Sequence, residues 1–408
     1  MNQRTKLFQS LMMIPCLWLF ACDTLMTEKP TARDDFESPF DGMSHDLNSQ
    51  FIEGDENFER VFTVEEGLGP IFNNVGCEDC HPGDGRGTKD LGFFRFSRGS
   101  DLIDAEGGPQ HQDKAIPGVP LEVIPAGVDR SLRMPPPVFG VGLIEAIPEA
   151  TILALAQAQS ADVGTETDDG IEGRPNMVQA DSYVSEANVG GGSGPVLGRF
   201  SRKAQVSSLL QQVVEAYHGD IGITSDFKPE ENPHPQAGSV ATGDQVPDPE
   251  IPASTVLETV MYVRLLQPPA RGEITAQVEQ GDGLFSEIGC ATCHVPTLET
   301  GPNLIPQLDR QPANLYSDLL LHDMGEALAD YRPDGDATGT EWRTAPLWGT
   351  RLVGDFLNGE EFYLHDGSAR SLPQAIARHG GEAEAAKNRY DNLSPTDQQA
   401  LIAFLKSL

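Results

Sequence analysis

The sequence contains the motif C-x-x-C-H twice, at residues 77–81 and at residues 290–294. In each copy two thiols are spaced to add to the vinyl groups of one haem, and the histidine that follows can ligate the haem iron. The sequence therefore predicts two covalently bound c-type haems. The predicted attachment and ligand residues are Cys77, Cys80 and His81 for the first haem, and Cys290, Cys293 and His294 for the second.

Paired cysteines can also build other sites. Four thiolates in two C-x-x-C pairs can hold one structural zinc ion, but zinc does not require a histidine directly after each pair. The pairs also lie 290 − 77 = 213 positions apart, far more than in a compact zinc ribbon. A thioredoxin-like dithiol is disfavoured, because no βαβ pattern surrounds either pair and histidine follows each one. Zinc remains the alternative to haem.

The N-terminal residues have the layout of an export signal. Arg4 and Lys6 precede an apolar run over residues 7–20, followed by the small residue Ala21. This pattern predicts a signal peptide over residues 1–21 and not a membrane span.

Cys22 follows the predicted signal and resembles the lipidated first residue of a mature lipoprotein. Residues 22–50 are then interpreted as a lipidated tether, and Asp23 favours the inner membrane. Ordinary cleavage with an incidental Cys22 is the alternative. We expect a periplasm-facing lipoprotein of the cell envelope whose membrane contact is made only through the lipid anchor.

Acidic residues far outnumber basic ones. The 62 Asp and Glu against 28 Lys and Arg give a formal net charge of −34 at pH 7. This charge argues against nucleic acid or an anionic membrane surface as a partner. It would speed encounter with a basic electron carrier, and adaptation to a saline habitat explains it equally well.

The apolar pattern predicts a mainly α protein, with two cytochrome c-like haem domains in tandem and loop insertions. The first domain is assigned to residues 51–268 and the second to residues 269–408. Segments 69–73 and 281–285 each precede a haem motif and resemble one another. We therefore expect a repeated unit in which a short helix leads into each motif.

Helical periodicity is clearest in four places, and strand signals are scarce. The last helix should begin at Ser394 as N-cap, with Pro395 in the first position. Two stretches rich in turn-forming and acidic residues, 160–195 and 227–252, should lie on the surface and add nothing to the core. The four predicted helices cover residues 147–158, 206–217, 254–266 and 394–408.

Several blocks resemble the dihaem oxidoreductase family, whose members are also labelled thiol-oxidoreductase-like or peroxidase-like. The resemblance runs from about residue 51 to the C-terminus. It implies a distant similarity to bacterial dihaem cytochrome c peroxidases and MauG, in which one haem handles peroxide and the other relays electrons. The blocks are residues 69–73, 136–148, 198–200, 321–325, 341–349 and 364–383.

The resemblance implies a redox enzyme of the peroxidase type. Its electrons would come from a small redox protein or a quinol-linked donor, and calcium is a further cofactor that the resemblance allows. The competing hypothesis is an electron-transfer module with two six-coordinate haems and no catalysis of its own. Dithiol chemistry is not expected, because haem consumes all four paired cysteines.

The resemblance also suggests iron ligands on the side away from the motif histidines. In the peroxidases the sixth ligand of the second haem, usually Met, lies fourteen residues past the His of a His-Asp-Gly motif. Here 379 − 365 = 14 gives His379, and imidazole in place of thioether should lower the haem potential. Stabilisation of a helix dipole is the alternative role for His379.

The remaining histidines and Met134 have less certain roles. His322 and His365 are interpreted as propionate or structural hydrogen-bond partners. At the first haem the sixth position is left to His111, to Met134 or to substrate in an open site.

Peroxide cleavage needs a group that moves a proton between the two oxygens. Glu145 lies in the apolar run 141–147, where burial should raise the pKa of its carboxyl group. Asp220 matches the position of the acid in the peroxidases loosely. Each of the two could instead be a helix cap or a salt-bridge group.

Overall fold

The computed structural model describes residues 36–164, 169–184, 194–232, 234–237, 246–356 and 359–408. This part of the chain is mainly α, as predicted, and none of its helices is both long and apolar enough to span a membrane. The α-helices are α1 His45–Phe58, α2 Val141–Ala146, α3 Glu149–Asp162, α4 Leu209–Glu215, α5 Ala253–Leu265, α6 Ala276–Glu287, α7 Val353–Phe356, α8 Leu372–Ala377, α9 Glu384–Asp391 and α10 Pro395–Leu405.

The strands are short and pair two by two, all antiparallel, which agrees with the scarce strand signals of the sequence. The pairs are β1 Ile71–Phe72 with β3 Lys114–Ala115, β2 Phe93–Ser97 with β4 Asp129–Arg133, β5 Met177–Val178 with β6 Val196–Leu197, β7 Leu298–Glu299 with β8 Pro312–Ala313, and β9 Leu321–Asp323 with β10 Glu341–Arg343.

Helix α1 crosses helix α5 at close range in the N-terminal half of the protein. The contact is made at Gly54, where an added Cβ would overlap the carbonyl oxygen of Glu258 and the Cβ of Tyr262. Phe51 and Phe58 pack on Tyr262 with ring centroids 4.8 and 5.3 Å apart. Only glycine lets the two helix backbones approach this closely.

Helix α6 crosses the last helix, α10, in the same way. An added Cβ at Gly281 would overlap the carbonyl oxygen of Ala400 and the Cβ of Phe404. Phe285, one turn after Gly281, packs on Phe404 with centroids 5.1 Å apart. The two crossings are therefore alike. In each, one helix carries a glycine and, four residues later, a phenylalanine, and the partner helix meets the glycine with two residues that are also four positions apart.

These crossings correct the repeat predicted from the sequence. The counterpart of Gly281–Phe285 is Gly54–Phe58, and not the segment 69–73, which leads through strand β1 into the first motif. Helix α6 ends directly before the second motif, as expected, whereas no α-helix directly precedes the first.

The folded part begins before residue 51, so the predicted tether is too long. Helix α1 starts at His45, where Ser44 accepts a hydrogen bond from the Leu47 amide. Phe36 is buried and stacks on Phe139, with ring centroids 4.7 Å apart. Apolar contacts hold residues 36–50 on the protein although these residues show no periodicity.

The two predicted surface insertions contribute to the core, contrary to expectation. Val178 of the first is buried in strand β5, which pairs with β6, and Ile251 of the second is buried in the main hydrophobic cluster. A few apolar residues inside an acidic stretch are enough to attach it to the body of the protein.

The four predicted helices are present with shifted ends. Residues 147–158 correspond to α3, 254–266 to α5 and 394–408 to α10, whose N-cap Ser394 accepts from the Asp397 amide as predicted. Residues 206–217 form the short helix α4, which continues into a π-helical turn, Ala216–Ile221. This turn carries one of the candidate catalytic residues.

Candidate haem sites

The first motif folds into a single compact turn. The amides of Cys80 and His81 both donate to the carbonyl of Cys77, at 3.1 and 3.0 Å. The motif lines a cavity of about 740 Å³, within the size range of cofactor and ligand sites. This space, called the first cavity below, is also lined by Met134, Arg202 and Asp220.

The second motif makes the same type of turn. Residues Cys290–Thr292 form a 3₁₀ turn, and the His294 amide donates to the Cys290 carbonyl at 3.0 Å. Phe285 lies beside the His294 ring at 6.2 Å and 54°, while Phe58 lies beside His81 at 6.3 Å and 50°. The phenylalanine at the equivalent position of each helix crossing therefore flanks the histidine of each motif.

The zinc alternative does not fit this arrangement. Within the described residues the cysteine pairs do not converge on one site, and the clusters of three metal-binding side chains are Cys293–Asp318–His322 and Glu231–Asp248–Glu250. Burial raises the pKa of Cys80 to about 11 and that of Cys290 to about 12, so both metal-free thiols are protonated at neutral pH.

Burial lowers the pKa of His81 and of His294 to about 4 in each case. Both imidazoles are therefore neutral at physiological pH, the form that binds a metal. His294 donates from Nδ1 to the Tyr316 carbonyl at 2.9 Å, which leaves the lone pair on Nε2. The geometry of His294 fits its predicted role as an iron ligand, and the neutral state of His81 is compatible with the same role.

His379 interacts electrostatically with His294, whose pKa is lowered mainly by burial and further by His379. It donates from Nδ1 to the Ala375 carbonyl at 2.8 Å, so its Nε2 also carries the lone pair. Burial lowers the pKa of His379. His294 and His379 are thus two neutral histidines of the same tautomer within electrostatic range of one another.

Asp220 lies in the wall of the first cavity, on the π-helical turn. Its carbonyl accepts from the amides of Asn73 and Asn74, at 2.7 and 3.1 Å, which ties this turn to the chain before the first motif. Gln110 donates to its Oδ1 at 2.6 Å. Burial raises the pKa of Asp220 to about 6, a range suited to proton transfer near neutrality.

Glu145 does not have the place that the sequence suggested. It does not line the first cavity, and both of its oxygens are occupied: Oε1 accepts from the Leu209 amide at 2.9 Å, and Oε2 pairs with Arg264 at 2.8 Å. The carboxylate caps helix α4 and ties it to α5. The structure therefore favours the helix-cap and salt-bridge role for Glu145 over the role of proton-transfer group.

Of the candidates for the sixth position of the first haem, only Met134 reaches the first cavity. His111 points its Nε2 at the Glu122 carbonyl, 3.1 Å away, and does not line the cavity. His218, which the sequence analysis missed, does line it. Its Nε2 donates to the Glu230 carbonyl at 2.9 Å, so its Nδ1 carries the lone pair.

His322 and His365 have structural surroundings. His322 is buried, with Nε2 2.9 Å from Asp318 and Nδ1 2.7 Å from Glu382, and these carboxylates raise its pKa well above the usual value. A protonated imidazole cannot ligate a metal. His365 stacks on Trp342 with ring centroids 3.7 Å apart.

Comparison with known protein families gives a match over residues 21–96 and 120–408 to the family described as "Di-haem oxidoreductase, putative peroxidase". The chain belongs to the di-haem oxidoreductase family. Haem cofactors and a dihaem redox role of the peroxidase type follow from this membership. A search of curated proteins finds no significant match.

Two solved structures are similar to this di-haem oxidoreductase at low identity. Hydrazine synthase of Kuenenia stuttgartiensis, pressurised with xenon, is 14% identical with a TM-score of 0.40, and 100% of each chain is covered. A MauG-like protein associated with microbial copper homeostasis is 14% identical with a TM-score of 0.35, covering 93% of this chain and 94% of that one.

Arginines around the first cavity of this di-haem oxidoreductase fit the carboxylates of haem. Arg202 and Arg343 donate only to backbone carbonyls, and burial lowers their pKa values to about 9 and 10. Nη1 of Arg343 and Nη1 of Arg133 are buried without a partner. The arginines that line the cavity, called the cationic cluster below, are Arg86, Arg95, Arg133, Arg202, Arg332 and Arg343.

Two buried carboxylates, Asp330 and Asp334, pair with this cationic cluster and with Lys203. Asp220, Asp318 and Asp366 also interact with arginines of the cluster. Within the described residues, however, neither Arg202 nor Arg343 forms an ion pair with a carboxylate, and a buried cation is costly unless an anion joins it. Haem propionates are such anions. No sequence signal pointed to this cluster, because its members are scattered through an acidic chain.

Proposed function

We propose that this protein is a dihaem c-type cytochrome redox enzyme of the peroxidase type. One haem, attached at Cys77 and Cys80, reacts with peroxide, and the other, attached at Cys290 and Cys293, relays electrons. The observation that carries this proposal is the asymmetry of the two motifs. His81 borders a cavity that contains the Asp220 carboxyl group, whereas His294 interacts electrostatically with a second histidine, His379.

The repeated architecture supports two haem-binding units in tandem. Each has a Gly-x-x-x-Phe helix crossed by a later helix, and each phenylalanine flanks the histidine of a C-x-x-C-H turn. A haem in each unit would be held by two thioether bonds and one imidazole. The cationic cluster would receive propionate groups at the first cavity.

Reduction of peroxide consumes two electrons and two protons: H₂O₂ + 2e⁻ + 2H⁺ → 2H₂O. When bound, haem would supply the iron that exchanges electrons with peroxide. Asp220 would supply the proton transfer, accepting a proton from one peroxide oxygen and returning it to the oxygen that leaves as water. His218, whose pKa is lowered by burial, lines the same cavity wall.

The function of Asp220 is tested by Asp220→Asn in the protein loaded with both haems. The amide keeps the size and can accept from Gln110 after rotation, but it cannot exchange a proton. Peroxide turnover should fall about 10²-fold or more with an unchanged haem spectrum, the scale of a lost general acid or base. Glu145→Gln should leave turnover within a few-fold. Equal turnover in Asp220→Asn and wild type would contradict the proposal.

A second function is favoured by Met134. This residue lines the first cavity, and a thioether at the sixth position would make the first haem six-coordinate. The protein would then be an electron-transfer module without catalysis of its own.

The partners and location are part of the same proposal. The signal layout and Cys22 support a lipoprotein anchored at the inner membrane and facing the periplasm, where c-type haem is attached. The acidic surface supports a basic electron donor, either a small redox protein or a quinol-linked carrier. The carboxylates of Glu231, Asp248 and Glu250, within 4.8 Å of one another, are the described group closest to an oxygen-ligand calcium site.

A further inference from the structure

The match to the di-haem oxidoreductase family leaves out residues 97–119. In this protein the omitted segment forms part of the wall of the first cavity, through Leu102, Asp104, Gln110 and Gln112 among others. It faces the π-helical turn that carries Asp220. The segment is thus a feature of this chain that reaches the proposed reaction site.

Two glutamines attach the segment to the π-helical turn. Gln110 donates from Nε2 to Asp220 Oδ1 at 2.6 Å, and Gln112 donates from Nε2 to the Gly219 carbonyl at 3.1 Å. The first bond reaches a carboxylate and the second only the backbone. The two side chains therefore have the same anchoring role but differ in their effect on Asp220.

The orientation of the Gln110 amide is fixed by a second residue. Its Nε2 also donates to Asn73 Oδ1 at 3.0 Å, and Asn73 in turn donates from Nδ2 to the His111 carbonyl at 2.8 Å. Asn73 must present its oxygen to Gln110, so Gln110 must present its NH₂ group to Asp220. Both hydrogens of that group are then used.

This bond has a chemical consequence for Asp220. Its Oδ1 accepts from an amide that cannot itself accept, so any proton on the carboxyl group is carried by Oδ2. The bond also stabilises the carboxylate against burial, which favours the neutral form. Among neighbouring charges, Arg95 of strand β2 favours the carboxylate and Glu215 of helix α4 opposes it. Asp220 also interacts with the Cys80 thiol, as does Lys114.

We propose that Gln110, from a segment outside the family match, is a positioning residue that holds Oδ1 of Asp220 in a hydrogen bond and leaves Oδ2 as its proton-accepting atom in the first cavity. The inference rests on the proposed function of Asp220. It makes the segment 97–119 a determinant of the pH range in which this protein reacts with peroxide.

The test compares Gln110→Met with Gln112→Met in the protein loaded with both haems. Loss of a hydrogen bond to a charged group should move the acidic limb of kcat/KM for peroxide to higher pH by about one to two units. Gln112→Met removes a bond from the same segment and should leave the limb in place. The infrared carbonyl stretch of protonated Asp220, identified by its loss in Asp220→Asn, should titrate with the same shift.

The infrared titration separates this inference from the proposed function. If wild type does not turn over peroxide, or if Asp220→Asn turns it over normally, the peroxidase proposal fails and the titration still tests Gln110. An Asp220 midpoint that is the same in Gln110→Met and wild type overturns the inference. So does an equal shift in both glutamine variants, which would show a general effect of loosening the segment.

Discussion

Hydrogen bonds at Nδ1 decide which histidine nitrogens of this protein can bind iron. His294 and His379 each donate from Nδ1 to a backbone carbonyl, so each presents the lone pair of Nε2. His322, held between two carboxylates, is protonated and cannot bind. Three histidines in the second half of the chain thus have different chemistry because of their immediate partners.

Replacement of His379 by Met tests the ligand at the second haem. The haem should stay low-spin, gain the weak methionine-to-iron band in the near infrared, and rise in potential by on the order of 100 mV, within the ~0.8 V range that axial ligands control. His379→Gly should instead give a high-spin iron. A second haem with unchanged potential and spectrum in both variants would return His379 to the role of stabilising a helix end.

Residue types and spacing predict the attachment cysteines, His81 and His294, because the motif itself states the chemistry. His379 could be proposed only from the resemblance. The choice between Glu145 and Asp220 needed coordinates, since both lie in apolar surroundings and only the fold shows that Arg264 neutralises Glu145. His218 and the cationic cluster carry no local pattern, so no sequence argument could reach them.

At the scale of elements, two helix crossings hold the haem motifs. Each depends on one glycine, Gly54 in α1 and Gly281 in α6, at which the backbone of the partner helix takes the place of a side chain. The equivalence was hidden in the sequence, because Phe58 precedes its motif by 77 − 58 = 19 residues and Phe285 by 290 − 285 = 5. The two units differ in the length of chain between the phenylalanine and the motif, and a longer loop costs little free energy.

Gly281→Ala tests the α6–α10 crossing, with Gly283→Ala as its matched control in the same helix. The new Cβ of Gly281→Ala meets the Ala400 carbonyl and should lower the free energy of unfolding by about 1–3 kcal/mol. Nothing lies within 4 Å of a Cβ at Gly283, so that variant should gain up to about 1 kcal/mol from helix propensity. Urea unfolding of both variants measures the difference, and equal stabilities would contradict the crossing.

At the scale of the whole molecule, a strongly acidic chain contains a cluster of arginines. The chain carries a net charge of −34, yet six arginines line the first cavity. Composition could not predict this cluster, because a few buried residues do not alter the total. Anionic groups of a cofactor would fit the cluster, and the net charge would favour encounter with a basic partner.

The acidic exterior should make reduction by a basic electron carrier sensitive to salt. At physiological ionic strength the screening length is about 8 Å, so the association rate should fall steeply as salt rises beyond that point. Stopped-flow reduction by a basic and an acidic cytochrome of similar potential gives the comparison. If the association rates with both carriers do not change with salt, the charge does not steer an electron carrier and is explained by solubility or habitat.

The account as a whole claims two haems with different roles, and optical and electron paramagnetic resonance spectra of the oxidised and half-reduced protein test it most directly. We expect two Soret-absorbing haems, one low-spin with two histidine ligands and one with a high-spin fraction in at least one redox state, which peroxide removes. Two haems that stay fully low-spin in every state, without turnover of peroxide, would contradict the enzyme and leave an electron carrier; bound zinc without a Soret band would contradict both.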